Sequence, residues 1–506
     1  MPSTTSYGKF QFDFSPATSA RPRDPDEPFR ILIVADLAGR PTRGLNVPLQ
    51  GRKSVGIDTD NFQQVFNRVQ PAVRLNGPGW PGGSLELPFS ALEDFHPDSL
   101  LKRAPLSEWL EVRKRLLNPA SASGAVSDVN RLLGRLPASG PESGVATAKS
   151  GNAPAETTGD TLARLMGTPV SSGSHPATPA AGPAASVDAL IRSIISPSNV
   201  PAPTSEQSVC LQALDEELSR RLRMALHDPG FRQCEANWRG VEMIVRDFGG
   251  EEEIKLSVLD VSRPELEADL CSQSDLSATG LFRGLRDVSW GAVLAAYSFS
   301  DTLVDFELLG RLAKIGEALR VPIIASAHER LIGCSSLAMT PDPDDWQAPL
   351  RGDLLEVWNA LRRRAETRHL GLALPRVLMR LPYGKGHDEI DSFPFEELDA
   401  TRPHESYLWG NPAFACGHVI AQAFQSDGWN LSMSGMGEVN ELPVHRFVED
   451  GSTQVKPCAE AWLSDRAAER LEDGGFIPVQ SVKNRDAIRV ANLRSLSSVD
   501  SSFATA

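Results

Sequence analysis

Between about Asn118 and about Ser205 the chain changes character, and that interruption limits every fold available to it. Ala, Ser, Gly, Pro and Thr dominate the stretch, and such sequence cannot bury enough apolar surface to offset the entropy of ordering. The sequence on either side is patterned for packed cores. The chain therefore divides into 1–118, a flexible connector 119–205, and 206–506. Three short apolar islands interrupt the connector: SDVNRLLGRL (127–136), DTLARLMG (160–167) and SVDALIRSIIS (186–196). Each sets a Ser or Asp before one to three amphipathic turns, and helices this short need a partner to form in water.

In the first region FRILIVADLAGR is a continuous apolar run from Phe29 that ends in Asp36 and Gly39, the pattern of a buried strand entering a turn. IDTDNFQQVFNRV follows, with Asp58 or Asp60 placed to cap a helix whose apolar face is Phe62, Val65, Phe66 and Val69. Leu85, Leu87 and Phe89 alternate as a strand, and Leu106, Trp109, Leu110, Val112, Leu116 and Leu117 fall on the helix after it. In the third region LQALDEELSRRLRMALHDPGF reads as a helix stopped by Pro229 and Gly230, and CEANWRGVEMIVRDF as a second helix ending at Gly249. EIKLSVLDVS, GAVLAAYSF and VPIIASA are strands, and PELEADL and DTLVDFELLGRLAKIGEAL are helices between them. GFIPVQ and DAIRVANL near the end are two further β segments joined by a polar turn. The expected fold class is α/β (α+β), with mixed sheets flanked by helices in both regions.

A net charge of −14 and a pI near 5.2 argue against a nucleic-acid surface, which needs clustered Lys and Arg. The local run Arg362-Arg363-Arg364 fits a solvated helix face. Cys210, Cys234, Cys271, Cys334, Cys416 and Cys458 are scattered without a CxxC pair, so reduced thiols are expected. The opening MPSTTSYGKFQFDF lacks a basic start and an apolar h-region, and no stretch approaches membrane-span length. A cytoplasmic protein without direct membrane insertion is expected.

Catalytic chemistry finds little support. No G-x-G-x-x-G follows ILIVAD, and PYGKGHD lacks the spacing and Ser/Thr of a phosphate loop. His387, Asp388, Glu389, His404 and Glu405 form the richest set of possible ligands or acid/base groups, but they fall in polar, turn-rich sequence without metal-ligand spacing. No nucleophile elbow is present. Arg376 and Arg380 bracket an apolar run, and Trp409 with Asn411 precedes a helical stretch. Those arginines fit internal ion pairs better than a partner's carboxylate. Neither cofactor, metal nor catalytic residue is expected.

Five segments of the third region, LHDPGFRQCEANWRGVEMIV (226–245), IKLSVLDVSRPELEADL (254–270), LALPRVLMRLPYGKG (372–386), YLWGNPAFACGHVIAQAFQSDGW (407–429) and PCAEAWLSDRAAERLEDGGFIPV (457–479), resemble the large contractile-sheath subunit of type VI secretion systems (TssC, VipB, ImpC). PFRILIVADLAGR (28–40), PLQGRKSVGIDTDNFQQVF (48–66) and LPFSALEDFHPDSLLKRAPLSEWLEVRKRLL (87–117) resemble the small subunit (TssB, VipA, ImpB). In most such systems the two are separate chains, whereas here they are fused, and the small-subunit likeness dissolves near residue 119.

The resemblance implies a structural protein and not an enzyme: a helical homopolymer around an Hcp-like inner tube, with baseplate and cap components, docked to a membrane-anchored complex and contracting to deliver effectors. Strands exchanged between neighbours would hold such a mesh, and the candidates are Phe476, Ile477, Val479, Ala487, Ile488, Val490 and Leu493, with 187–195 lying near the large-subunit amino end. It also implies a ClpV-like AAA+ unfoldase that takes hold of a short amphipathic helix, for which Leu190, Ile191, Ile194 and Ile195 are the candidates. A non-polymerising sheath-like adaptor and a two-domain hydrolase using residues 387–405 are the alternatives.

Overall fold

Phe29–Ala35 forms a strand in which six of seven residues are buried, as expected for aliphatic and β-branched sequence covered on both faces of a parallel sheet. In the computed structural model, which describes residues 3–7, 10–14, 27–134, 205–347, 350–399, 403–435 and 437–503, this strand does not sit in a sheet of its own region. It pairs in parallel with Ile254–Asp260, from Phe29 opposite Ile254 to Ala35 opposite Asp260, and on its other side with Ala292–Phe299. The full order is Ile477–Pro478, Leu370–Leu374, Ile323–Ala327, Ala292–Phe299, Phe29–Ala35, Ile254–Asp260, Val55–Ile57. Only Val55–Ile57 runs antiparallel. The α/β class holds, and the first and third regions build one sheet together.

Helices cover the sheet. Pro229–Phe248 buries twelve residues, among them Phe231, Trp238 and Ile244, while Leu303–Leu319 and Ala413–Asp427 are largely buried. Their starts follow ordinary capping chemistry. Ser262 and Glu265 form a capping box on Arg263–Cys271, and the Thr302 hydroxyl accepts the Asp305 amide. Pro229 does not stop a helix but opens one: Ser205–Leu226 ends first, and the Asp228 carboxylate accepts the Gly230 and Phe231 amides. Neither Asp58 nor Asp60 caps helix Phe62–Val69: Asn61 holds the cap position without a side-chain bond, and Asp58 accepts the Asp60 and Asn61 amides in the turn before it.

The chain forms two compact units, one of 1–108 with 215–506 and the other of 109–214. In the second, Trp109, Leu116, Ala125, Val129, Cys210 and Leu214 are buried, and Gln207 donates to the Leu116 carbonyl at 2.5 Å. Leu117, placed by its spacing on the apolar face, is 51% exposed. Residues 127–132 of the first island belong to a longer helix, Ala122–Leu132, in which Ala122, Ala125 and Val129 are buried. The islands at 160–167 and 186–196 lie outside the described residues. No described helix is long and apolar enough to cross a membrane.

Candidate assembly interface

The order of the sheet reverses at Phe29–Ala35: the next strand in sequence to pair with it, Ile254–Asp260, lies on one side, and Ala292–Phe299 on the other. In open α/β sheets the crevice at the carboxyl ends of the strands at such a point is where ligands bind. Here side chains of the two regions fill it. Arg40 reaches Asp260, and its Nε lies 2.7 Å from Glu265, while Arg52 meets Glu265 at 2.9 Å. The side chain of Glu265 is fully buried. Its oxygens also accept the Val47 and Ser262 amides, both at 2.9 Å. Asp260 accepts the Leu37 and Ala38 amides.

The electrostatics follow from this packing. Burial by itself would raise the Glu265 carboxyl, but hydrogen bonds from Arg40, Arg52 and the two amides outweigh it and hold the group well below the usual carboxylate range. Asp36 is treated in the opposite way. Burial, and then the charge of Asp260, push it up to about 6, against a bond from the Gly39 amide. Gly39 has φ +66°, and a Cβ there would lie 2.6 Å from the Ala72 carbonyl oxygen, so the turn after the strand requires glycine.

Aromatic packing continues the junction along helix Pro229–Phe248. Trp238 lies 4.4 Å from Phe66 and 5.8 Å from Phe62 between ring centres, and its Nε1 donates to the Leu37 carbonyl at 2.9 Å. Phe231 meets Phe89 and Phe95 at 5.7 and 5.4 Å. Each such pair contributes about 0.5–1.5 kcal/mol beyond its buried area. Gly280 lies under the first region so closely that a Cβ there would be 2.7 Å from the Leu49 backbone. Segments 28–40 and 48–66, with Phe89 and Phe95, thus meet segments 226–245 and 254–270 of the third region.

The other candidate groups are absorbed by ion pairs. Among the described residues His404, Glu405 and Glu460 could converge on a metal ion, yet cations of the chain already meet them. Arg376 contacts both carboxylates, and the Lys456 ammonium lies 2.7 Å from His404 Nδ1. Burial would raise Glu460, but Arg376 and His404 hold it down at about 2. This cluster borders a cleft of about 470 Å³ at the ends of three parallel strands, where burial and then Glu460 push Glu329 up to about 7. His328 in the same cleft turns its Nδ1 to the Arg330 amide. Arg380 is buried between Glu235 and Glu397 at 2.8 and 2.7 Å. His387 is half-buried with its ring near His445, whereas Asp388 and Glu389 are exposed.

Phe476, Ile477, Val479, Ala487, Ile488, Val490 and Leu493 are all buried within the chain. Ile477–Pro478 is the outermost strand of the large sheet, beside Leu370–Leu374. Ile488–Arg489 pairs antiparallel with both Gln480–Ser481 and Glu438–Val439, so the two tail segments enter different sheets. Leu190, Ile191, Ile194 and Ile195 lie outside the described residues. Arg40, Arg52, Asp260 and Glu265 went unmarked in the sequence: the Ser262-x-x-Glu265 box was readable, but nothing local pairs Glu265 with arginines more than 200 positions away.

Residues 208–497 match the family model VipB, described as EvpB/VC_A0108, tail sheath N-terminal domain, which is more than half of the chain. Residues 8–139 match a second model, described as Type VI secretion system, VipA, VC_A0107 or Hcp2. The chain is also similar to the type VI secretion system sheath protein TssC1 of Pseudomonas aeruginosa, with 31% identity over 300 residues, 56% of this chain and 60% of that protein. It therefore spans about 60% of the length of that curated relative. Two sheath-type sequences meet across one sheet, and the polypeptide belongs to the VipB family of type VI secretion tail-sheath proteins as a fusion of a small (TssB-like) and a large (TssC-like) sheath protein.

Proposed function

We propose that the chain is a structural subunit of a type VI secretion contractile sheath, in which 1–118 acts as the small subunit, 206–506 as the large one, and 119–205 as their connector. Copies polymerise into a helical tube around an Hcp-like inner tube, with baseplate and cap components at its ends, in the cytoplasm and docked to a membrane-anchored complex. Contraction then drives the inner tube outward for effector delivery. The observation that carries this is the insertion of Phe29–Ala35 between Ile254–Asp260 and Ala292–Phe299, which makes the small–large pair a property of one polypeptide. No covalent chemistry enters the cycle. Small differences in contact energy per copy, repeated along a lattice, suffice for a large transition.

Neighbouring copies are held by strands exchanged at the tail segments around Phe476–Val479 and Ala487–Leu493. Recycling uses a ClpV-like unfoldase that grips Leu190, Ile191, Ile194 and Ile195. Changing Leu190 and Ile194 to Asp abolishes capture by the unfoldase and leaves assembly intact; undiminished pull-down removes the assignment. Electron microscopy of the purified chain, alone and with the inner-tube protein, tests the main reading. Hollow tubes are expected. Monodisperse particles in both samples support the non-polymerising adaptor, and turnover of ester or phosphate substrates would revive the hydrolase.

A further inference from the structure

Arg362 does not lie on a solvated helix face. Helix Asp353–Arg362 ends with this side chain turned into a cleft of about 460 Å³, whose floor includes the buried Leu331, Trp358 and Phe476. Arg470, from helix Asp465–Asp473, lines the same cleft, and Asp473 is its one lining carboxylate. Arg362 Nε donates to the Leu496 carbonyl at 3.1 Å. Among the described residues, no carboxylate stands within 4.0 Å of either guanidinium. Burial pushes the Arg362 guanidinium down, and no acidic group offsets it. The cleft is therefore apolar below, cationic at its rim and short of a counter-ion.

Elsewhere on the same unit, His445–Glu449 and Ser452–Lys456 form a two-stranded hairpin outside the main sheet. Asp450 and Gly451 link the strands with φ of +48° and +73°, the two-residue primed turn that matches strand twist and holds the tip in one conformation. Val448 is 66% exposed, and Glu449 and Asp450 beside it are exposed acids. A valine followed by carboxylates is what an apolar floor with a cationic rim accepts. The chain as a whole carries −14, so most approaches of two copies are repulsive, and a cleft with two arginines lacking a carboxylate partner is a place where an acidic tip is attracted.

We propose that the Arg362/Arg470 cleft of one copy receives the Val448–Asp450 hairpin tip of a second copy. The two surfaces are different patches of one chain, so the contact is heterologous, the kind that builds an open filament where its rotation does not close. The proposal rests on the self-assembly reading and names one of its contacts.

The test is charge reversal with rescue, read as the critical concentration for assembly by light scattering and sedimentation of the full chain. Arg470 and Asp450 are exposed and make no ion pair within the described residues, so R470E and D450R leave the fold in place, which circular dichroism checks. Each single variant is expected to raise the critical concentration roughly tenfold, and R470E/D450R together to restore it to within about threefold of the parent, since rim charges set orientation and partner choice. Single variants that assemble like the parent, or a double variant no better than the singles, overturn this contact and leave the sheath reading standing. A parent chain that does not assemble overturns both.

Discussion

Replacing Glu265 by alanine removes the acceptor at the centre of the junction. Arg40 and Arg52, whose side chains are 12% and 19% exposed, would keep their charges without the carboxylate, and the Val47 and Ser262 amides would lose an acceptor. Removing one member of a buried pair costs about 3–5 kcal/mol, most of it the penalty of the charge left behind. With a urea m-value of about 3 kcal/mol/M, the unfolding midpoint should fall by more than about 1 M. Arg74 and Glu86 supply the comparison within the same chain: they pair at 3.1 Å with side chains 42% and 47% exposed, and Glu86→Ala should change stability by less than about 1 kcal/mol. Urea titration followed by tryptophan fluorescence, at protein concentrations below assembly, measures both. Hydrogen exchange adds the location, because loss of Glu265 should deprotect 29–35 and 37–47 before 323–327. A Glu265→Ala midpoint within about 0.3 M of the parent, or no smaller than that of Glu86→Ala, would refute the claim that this cluster joins the two regions.

Gly280→Ala sets a Cβ against the Leu49 backbone at 2.7 Å, where backbone cannot yield cheaply, and should destabilise by about 1–3 kcal/mol; calorimetry with an unchanged melting temperature would contradict the close approach. Asp36 supplies a pH signature. Its folded pKa of about 6 lies above the ordinary 3.8, so the folded state holds the extra proton, and its contribution is largest below pH 4 and lost as pH rises through 6. The loss is at most about 3 kcal/mol. Asp36→Asn should therefore gain stability relative to the parent between pH 4 and 7, and equal slopes for the two proteins would refute the assignment. Glu265 acts in the opposite sense: its depressed pKa contributes stability above pH 4.5 that is lost on acidification. Glu265→Gln should flatten the acid limb of the stability curve, and an acid limb as steep as the parent's would count against it.

The strands of the large sheet were readable because strand sequence that is buried on both faces is an uninterrupted apolar run. FRILIVA, GAVLAAYSF and VPIIASA each announce themselves in this way, and their bounds in the fold agree with the runs. Partnership between distant strands has no such local sign. Nothing in Phe29–Ala35 names Ile254–Asp260 as its neighbour, and two regions with separate patterns read as separate folds. Arg362 looked solvated because charge runs usually are, but the last residue of a helix can turn into a cleft that only the tertiary packing creates. The hairpin at 445–456 carries a local signal too, an Asp-Gly pair between β-forming segments, but that signal went unread.

A side-chain-resolution reconstruction of the purified chain by cryo-electron microscopy, with the inner-tube protein present, tests the central claim most directly. A helical tube is predicted, in which Phe29–Ala35 of every copy lies between Ile254–Asp260 and Ala292–Phe299 of that same copy, and adjacent copies meet through unlike surfaces. Particles that stay single at every concentration and salt, with the inner tube as without it, would contradict it.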